Sequence, residues 1–212
     1  YVTCSVDVCP EFREYERTST TVVNAAVMPL VDAYLDKLES KLKAEGYFRH
    51  LYIMQSSGGM MTASEIRHQP INIIESGPAA GVVASHAIGQ VLGRENLLSF
   101  DMGGTTAKAA LIHEGRIDMS AEYEVGGNTH GAHGTKGYGT GYPIRGSFMD
   151  IVEVGAGGGS IAWIDEAGGL RVGPHSAGAD PGPVCYGKGN TRPTVTDANV
   201  VLGRINADRP IG

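Results

Sequence analysis

The segment Leu97–Leu111, LLSFDMGGTTAKAAL, limits what this chain can fold into more than any other. An apolar run carries an aspartate into two glycines and two threonines, and a second apolar run leaves at once. That order predicts strand, tight turn, strand. Gly103 and Gly104 let backbone N–H groups approach an anion, Thr105 and Thr106 add hydroxyl donors, and Asp101 can hold magnesium through its waters. A Walker-type loop needs a lysine after its glycines and a helix behind it. Here Lys108 comes later, and Ala107–Ile112 reads as a strand. The alternative is a hairpin turn whose glycines serve only backbone geometry.

Upstream, Ile73–Ser85 (IIESGPAAGVVAS) leads through a helix-like segment to Leu92 and on to the strand that carries Asp101. This order resembles the nucleotide-binding core shared by actin, sugar kinases and heat-shock chaperone ATPases. By that resemblance Glu75 matches the acidic residue ahead of a small-residue helix. Asp101, Gly103, Gly104 and Thr105 match the second phosphate loop. Ala79, Ala80, Gly81 and Ala84 would let the helix pack closely. The fold class expected is α/β: a partial actin-like ATPase (ribonuclease H-like) fold, a mixed sheet with flanking helices.

A narrower resemblance covers nearly the whole chain. Glu14–Pro29, MQSSGG (Met54–Gly59), ESGPAAGV (Glu75–Val82), the Asp101 segment, EVGAGGGSIAWID (Glu153–Asp165), VGPHSAGADPGPVCYG (Val172–Gly187) and PTVTDANVVLGRI (Pro193–Ile205) all resemble the hydantoinase A/5-oxoprolinase family, which also contains acetone carboxylase subunits. The resemblance implies an ATP-dependent hydrolase of the hydantoinase or oxoprolinase type. In such an enzyme ATP with magnesium (or manganese) activates a cyclic amide or a ketone carbonyl by phosphorylation, for hydrolysis or carboxylation, often with a hydantoinase B-type subunit or domain. It also implies that Glu75 and Asp101 serve catalysis, that Gly103, Gly104, Thr105 and Thr106 bind phosphate, and that Gly157, Gly158 and Gly159 face the substrate or the nucleotide. Asp101 and Asp150 are the candidate metal ligands. The chain opens on Tyr1 with no initiator methionine, and it lacks the earlier phosphate loop and the later adenosine loop of family members. It is therefore expected to supply part of one site and to be inactive alone: residues 1–95 as the end of a preceding lobe with connecting helices, residues 96–212 as a second-lobe segment.

With 212 residues and 42% hydrophobic content the chain can bury a core. A formal net charge of -6 with scattered basic residues argues against nucleic acid as a partner. No apolar run reaches the roughly 20 residues of a membrane span. Cys4, Cys9 and Cys185 fit neither a disulfide framework nor a zinc ribbon, so a reduced, cytoplasmic protein is expected.

Along the chain the pattern predicts a strand over Val2–Val8, then a helix capped within Thr18–Thr21 and running to Ala44, broken or kinked at Pro29. Phe48–Gln55 and Ile71–Ile74 read as strands, and Thr62 with Glu65 as a capping box. Three strands follow, at Leu97–Phe100, Ala107–His113 and Ile117–Glu124, with a turn at Glu114-Gly115. Gly126–Gly146 reads as a flap or a connection. Met149–Val154 and Ser160–Asp165 are expected strands around Gly155–Gly159, and Thr196 or Asp197 is expected to cap a last helix.

Other residues invite chemistry and bland readings alike. The GAGGGS loop, Gly155–Ser160, could offer amides to a phosphate or a carbonyl oxygen, or could be a wide loop needing positive φ. Of Asp150 and Glu153, three apart on one strand, only one should reach a site. Ser56–Gly59 is a turn that could touch an anion. His130 and His133 could share a metal, and Lys136 or Arg145 could meet phosphate. Cys185 reads better as a packed thiol than as a nucleophile. A non-catalytic actin-like nucleotide switch remains the alternative function, although GAGGGSIAWID and SAGADPGPVCYG are blocks that a generic switch does not require.

Overall fold

The computed structural model describes residues 1–126 and 141–208. His130, His133, Lys136 and most of the expected flap lie outside the described residues. The chain divides into two compact units, Tyr1–Ser99 with Ala110–Ile151, and Phe100–Ala109 with Val152–Gly212.

The first unit opens with a single helical turn, α1 (Ser5–Val8), where the alternating pattern suggests a strand. The Cys4 carbonyl accepts from the amides of Asp7 and Val8 at 3.1 and 3.3 Å, and Arg17 Nε donates to Ser5 Oγ at 2.9 Å. Helix α2 (Glu14–Ala44) starts earlier than expected and runs unbroken through Pro29. Thr20 and Thr21 do not cap it. Their hydroxyls donate back to the Glu16 and Arg17 carbonyls, both at 2.7 Å, the alternative bonding open to threonine inside a helix. Buried Thr20, Asn24, Met28 and Leu35 recur at helical spacing on one face. A proline in a helix interior costs about 3 kcal/mol; burial of residues on both sides of Pro29 offsets it. Glu14 and Glu16 in the first turn, and Lys41 and Lys43 in the last, complement the helix dipole.

Asn24 is fully buried and ties three segments together. Its Nδ2 donates to the His68 carbonyl at 3.0 Å, and its Oδ1 accepts from the Ile71 amide at 3.1 Å. That second bond, with Pro70 presetting the backbone, explains why Pro70–Ile73 is a 3-10 turn and not the expected strand. Before it, β1 (Tyr52–Met54) pairs antiparallel with β2 (Met60–Thr62), shorter than the apolar run Phe48–Gln55 suggests. Thr62 caps α3 (Ala63–His68) through the expected reciprocal box with Glu65.

Helix α4 (Ser76–Val91) is the small-residue helix. Its Ala79 and Val82 pack with Ala110, Ile112 and Met149 into an apolar cluster, and a Cβ on Gly89 would meet the Arg94 carbonyl at 2.8 Å. After it come β3 (Leu97–Met102) and β4 (Ala107–His113), neighbours in a four-stranded sheet. Strand β5 (Arg116–Ile117) pairs with the end of β4 across Glu114 and Gly115, whose φ angles of 50° and 68° are those of a tight hairpin turn. Strands β6 (Met119–Val125) and β7 (Tyr142–Met149) pair antiparallel, and Thr20 Oγ1 accepts from the Arg145 amide at 2.9 Å.

In the second unit β8 (Val152–Val154) pairs antiparallel with the start of β4, setting Ala107 opposite Val154 and Lys108 opposite Glu153. Strands β9 (Ser160–Ile164) and β10 (Leu170–Ser176) form a hairpin, and α5 (Val195–Val201) closes the unit. Met149–Val154 is thus not one strand: Asp150 lies between β7 and β8, its amide on the Asp118 carbonyl at 2.9 Å, so the expectation about facing sides does not apply to it. Buried Ser160, Ile161 and Thr194 sit at the centre of this unit, where backbone packing replaces the aliphatic clusters of the first. Among the described residues, no helix is long and apolar enough to cross a membrane.

Candidate functional site

The turn between β3 and β4 carries four of the candidate residues, Gly103, Gly104, Thr105 and Thr106. The Gly103 amide donates to the Thr106 carbonyl at 2.9 Å, closing the turn, and Asp101, Gly103, Gly104 and Thr105 are exposed. Among the described residues, no protein group takes up the Gly104 and Thr105 amides or the Thr105 and Thr106 hydroxyls. Strand alternation sets Asp101 on the face opposite Phe100 and Met102. The turn is therefore a cluster of uncommitted donors next to one accessible carboxylate. An anion that also carries a cation suits that chemistry. Among the described residues no three metal-binding side chains cluster. A lone carboxylate fits magnesium, which keeps most of its waters and is completed by phosphate oxygens.

The GAGGGS loop lies directly against this turn. The Gly158 amide donates to the Gly103 carbonyl at 2.8 Å and the Gly159 amide to the Gly104 carbonyl at 2.7 Å. The Gly157 amide donates to Ser160 Oγ at 2.9 Å. All three glycine amides are thus committed inside the protein. A Cβ on Gly157 would stand 2.6 Å from the Thr105 carbonyl carbon, and 2.7 Å from both Gly103 O and Thr106 N. On Gly159 it would meet Gly104 O at 2.9 Å. Glycine is required because two backbones touch here.

Behind that loop stands the start of α5. Thr196 sends both its amide (2.8 Å) and its hydroxyl (2.9 Å) to the Gly158 carbonyl. Thr194 caps the helix, with Asp197 completing the box. The cap is therefore neither Thr196 nor Asp197, the two candidates read from sequence, but Thr194, and the Thr-x-x-Asp spacing at Thr194–Asp197 is the signal that locates it. Asp197 also accepts from the amides of Cys185 and Val184, at 2.8 and 3.2 Å. Burial raises the Asp197 carboxyl, but the hydrogen bonds from Cys185 and Thr194 outweigh it and hold the group below the usual carboxylate range. Burial, then the neighbouring Asp197, pushes the Cys185 thiol up, which leaves it a packed thiol and a poor nucleophile.

The remaining sequence-predicted residues divide cleanly. Lys108 faces Glu153 across the β4–β8 pair at 3.8 Å. Glu75 and Asp150 belong to the first unit. Glu75 sits at the N-terminus of α4 with φ 66°, a left-handed conformation that costs a non-glycine residue about 1 kcal/mol or more and that gathers at functional positions. Arg145 is held by Glu11 at 2.6 Å and by Glu122, so it is a structural ion-pair partner. Ser56 is buried, with its hydroxyl on the Asn72 and Ile74 carbonyls, which makes Ser56–Gly59 a structural turn.

The sequence profile of the hydantoinase/oxoprolinase family matches residues 17–209. An uncharacterised protein of Methanocaldococcus jannaschii is 52% identical over 96% of this chain and 30% of its own length. The crystal structure of an ATP-dependent caprolactamase from Pseudomonas jessenii superposes with a TM-score of 0.71 at 39% identity, covering 95% of this chain and 27% of that one. Nucleotide-free acetone carboxylase, from work on ATP-dependent acetone carboxylation, superposes at 0.69 with 26% identity, over 95% of this chain and 26% of that one. The chain spans less than a third of the length of these relatives. Its mixed α/β fold is that of these actin-like ATPase-type structures. Seven blocks of sequence, a matching profile and a shared fold lead to one statement: this chain belongs to the hydantoinase/oxoprolinase family.

Proposed function

We propose that this chain holds the phosphates of ATP for an enzyme that activates the carbonyl of a cyclic amide or a ketone. The observation that carries the reading is the turn Gly103–Thr106, whose outer amides and hydroxyls are uncommitted among the described residues, beside the accessible Asp101. Gly104 and Thr105 donate to phosphate oxygens, and Asp101 holds magnesium through its waters. Gly157–Gly159 act from beneath, by fixing the turn, since their own amides are spent. Glu75 orients the attacking oxygen, and Asp150 is a further candidate for the metal. Bound magnesium–ATP would supply an electrophilic γ-phosphoryl group, which the carbonyl or enol oxygen takes as the bond to ADP breaks and ADP leaves, readying the substrate for hydrolysis or carboxylation. The ATP dependence of the caprolactamase and of acetone carboxylation supports this reading. A hydantoinase B-type subunit or domain completes the reaction, and the cytoplasm is the compartment.

Asp101→Ala in the full-length protein tests it. ATP-dependent turnover is expected to fall on the order of 100-fold, with heat lost from a calorimetric titration of magnesium–ATP and thermal unfolding unchanged. Retained turnover and binding would sink the assignment of the turn.

A further inference from the structure

From the layered bonding behind the turn, we propose that Thr196 is a positioning residue for the phosphate-binding turn, acting through Gly158. This rests on the reading of Gly103–Thr106 as the anion site. The relay is short and each link is a hydrogen bond within one unit. The Thr196 hydroxyl and amide both donate to the Gly158 carbonyl, at 2.9 and 2.8 Å. The Gly158 amide donates to the Gly103 carbonyl at 2.8 Å, and the Gly103 amide closes the turn on Thr106 at 2.9 Å. Donation to the Gly158 carbonyl polarises the peptide that carries the Gly159 amide, which donates to the Gly104 carbonyl at 2.7 Å, and that second peptide carries the Thr105 amide; chains of such bonds reinforce one another. More important is geometry. Gly158 has no side chain to anchor it, and a Cβ there would stand 2.7 Å from Thr196 Oγ1. The hydroxyl thus occupies the space a side chain would take and sets how far the loop sits from α5.

Thr196 itself is fixed from its own side. Thr194 and Asp197 form the cap around it, and Asp197 clamps the amides of Val184 and Cys185 to the same helix start. The hydroxyl is therefore held by a rigid frame on one side and bonds the glycine loop on the other. Both Thr196 bonds end on the Gly158 carbonyl, and from there its effect passes through two peptide groups. Loss of the hydroxyl leaves the Thr196 amide bond to Gly158 in place, so the fold is expected to persist while the Gly158 carbonyl loses one of its two bonds.

The test is Thr196→Val, an isosteric loss of the hydroxyl, beside Thr196→Ser, which keeps it, and Thr196→Ala, which removes it without the branched methyls. All are made in the full-length protein with Asp101→Ala as a reference. KM for magnesium–ATP is expected to rise about ten-fold in the valine and alanine variants, with kcat changed less than three-fold, the thermal midpoint within 2 °C, and serine restoring KM. A KM unchanged in both valine and alanine variants, with turnover of Asp101→Ala down on the order of 100-fold, overturns the positioning role and leaves the phosphate assignment standing. Equal losses in serine and valine also overturn it. Unaltered ATP dependence in Asp101→Ala overturns the phosphate assignment and the positioning role with it.

Discussion

Gly103–Thr106 and Gly155–Ser160 are built from nearly the same residues and do opposite things. The first is exposed, and its outer amides and hydroxyls have no protein partner among the described residues; the second is largely buried, and the amides of its last three glycines are all committed. A Cβ on Gly104 meets nothing within 4 Å, whereas one on Gly157 meets three backbone atoms inside 3 Å. A glycine run therefore signals close approach of backbone to something. Whether that something is a ligand or another strand of the same protein depends on where the N–H groups point.

The difference is open to attack at three levels. Gly157→Ala should be the most damaging, because the new methyl meets peptide atoms and not a movable side chain. A loss of about 3 kcal/mol is expected, read by urea unfolding through Trp163, the chain's one tryptophan, which lies in the same unit. A normal unfolding curve would mean that the two backbones are not in contact.

Next comes Asp197→Asn, which removes a charged acceptor from four donors and should cost about 1–2 kcal/mol at neutral pH. Because the folded carboxyl lies below its ordinary value of 3.8, its stabilisation is complete above that value and is lost as pH falls through the folded pKa. The gap between wild type and variant should therefore narrow only below about pH 4. A constant gap down to pH 2 would show that the charge contributes nothing.

The smallest effect on folding belongs to Gly104→Ala, within about 0.5 kcal/mol. Affinity for magnesium–ATP in the full-length protein should nevertheless drop about ten-fold, worth 1.4 kcal/mol. Loss of folding without loss of binding would reverse the roles assigned to the two loops.

Local chemistry made part of this legible from residues alone. The Thr62–Glu65 box, the Glu114-Gly115 turn, the small-residue helix and the strand–turn–strand at Asp101 each depend on residues next to one another in the chain. What stayed hidden depends on distant partners. Ile71–Ile74 alternates like a strand, yet Asn24, 47 positions away, accepts from Ile71 and favours the 3-10 turn. Thr20 resembles a cap until its bond to Arg145 shows it facing a strand. In the site, the turn could be read directly, but the commitment of the Gly157–Gly159 amides could not. Periodicity carries no record of which carbonyl an amide will meet.

The contact between Gly157 and the Thr105 peptide also constrains how this protein can change over generations. A side chain at Gly157 or Gly159 needs room that only a retreat of the Gly103–Thr106 backbone could provide, whereas Gly104 faces open space. Neutral drift proceeds one substitution at a time, so the turn keeps Gly157 and Gly159 as glycines. Variation must enter elsewhere in the molecule, and this contact acts as a fixed reference point around which the rest is free to diverge.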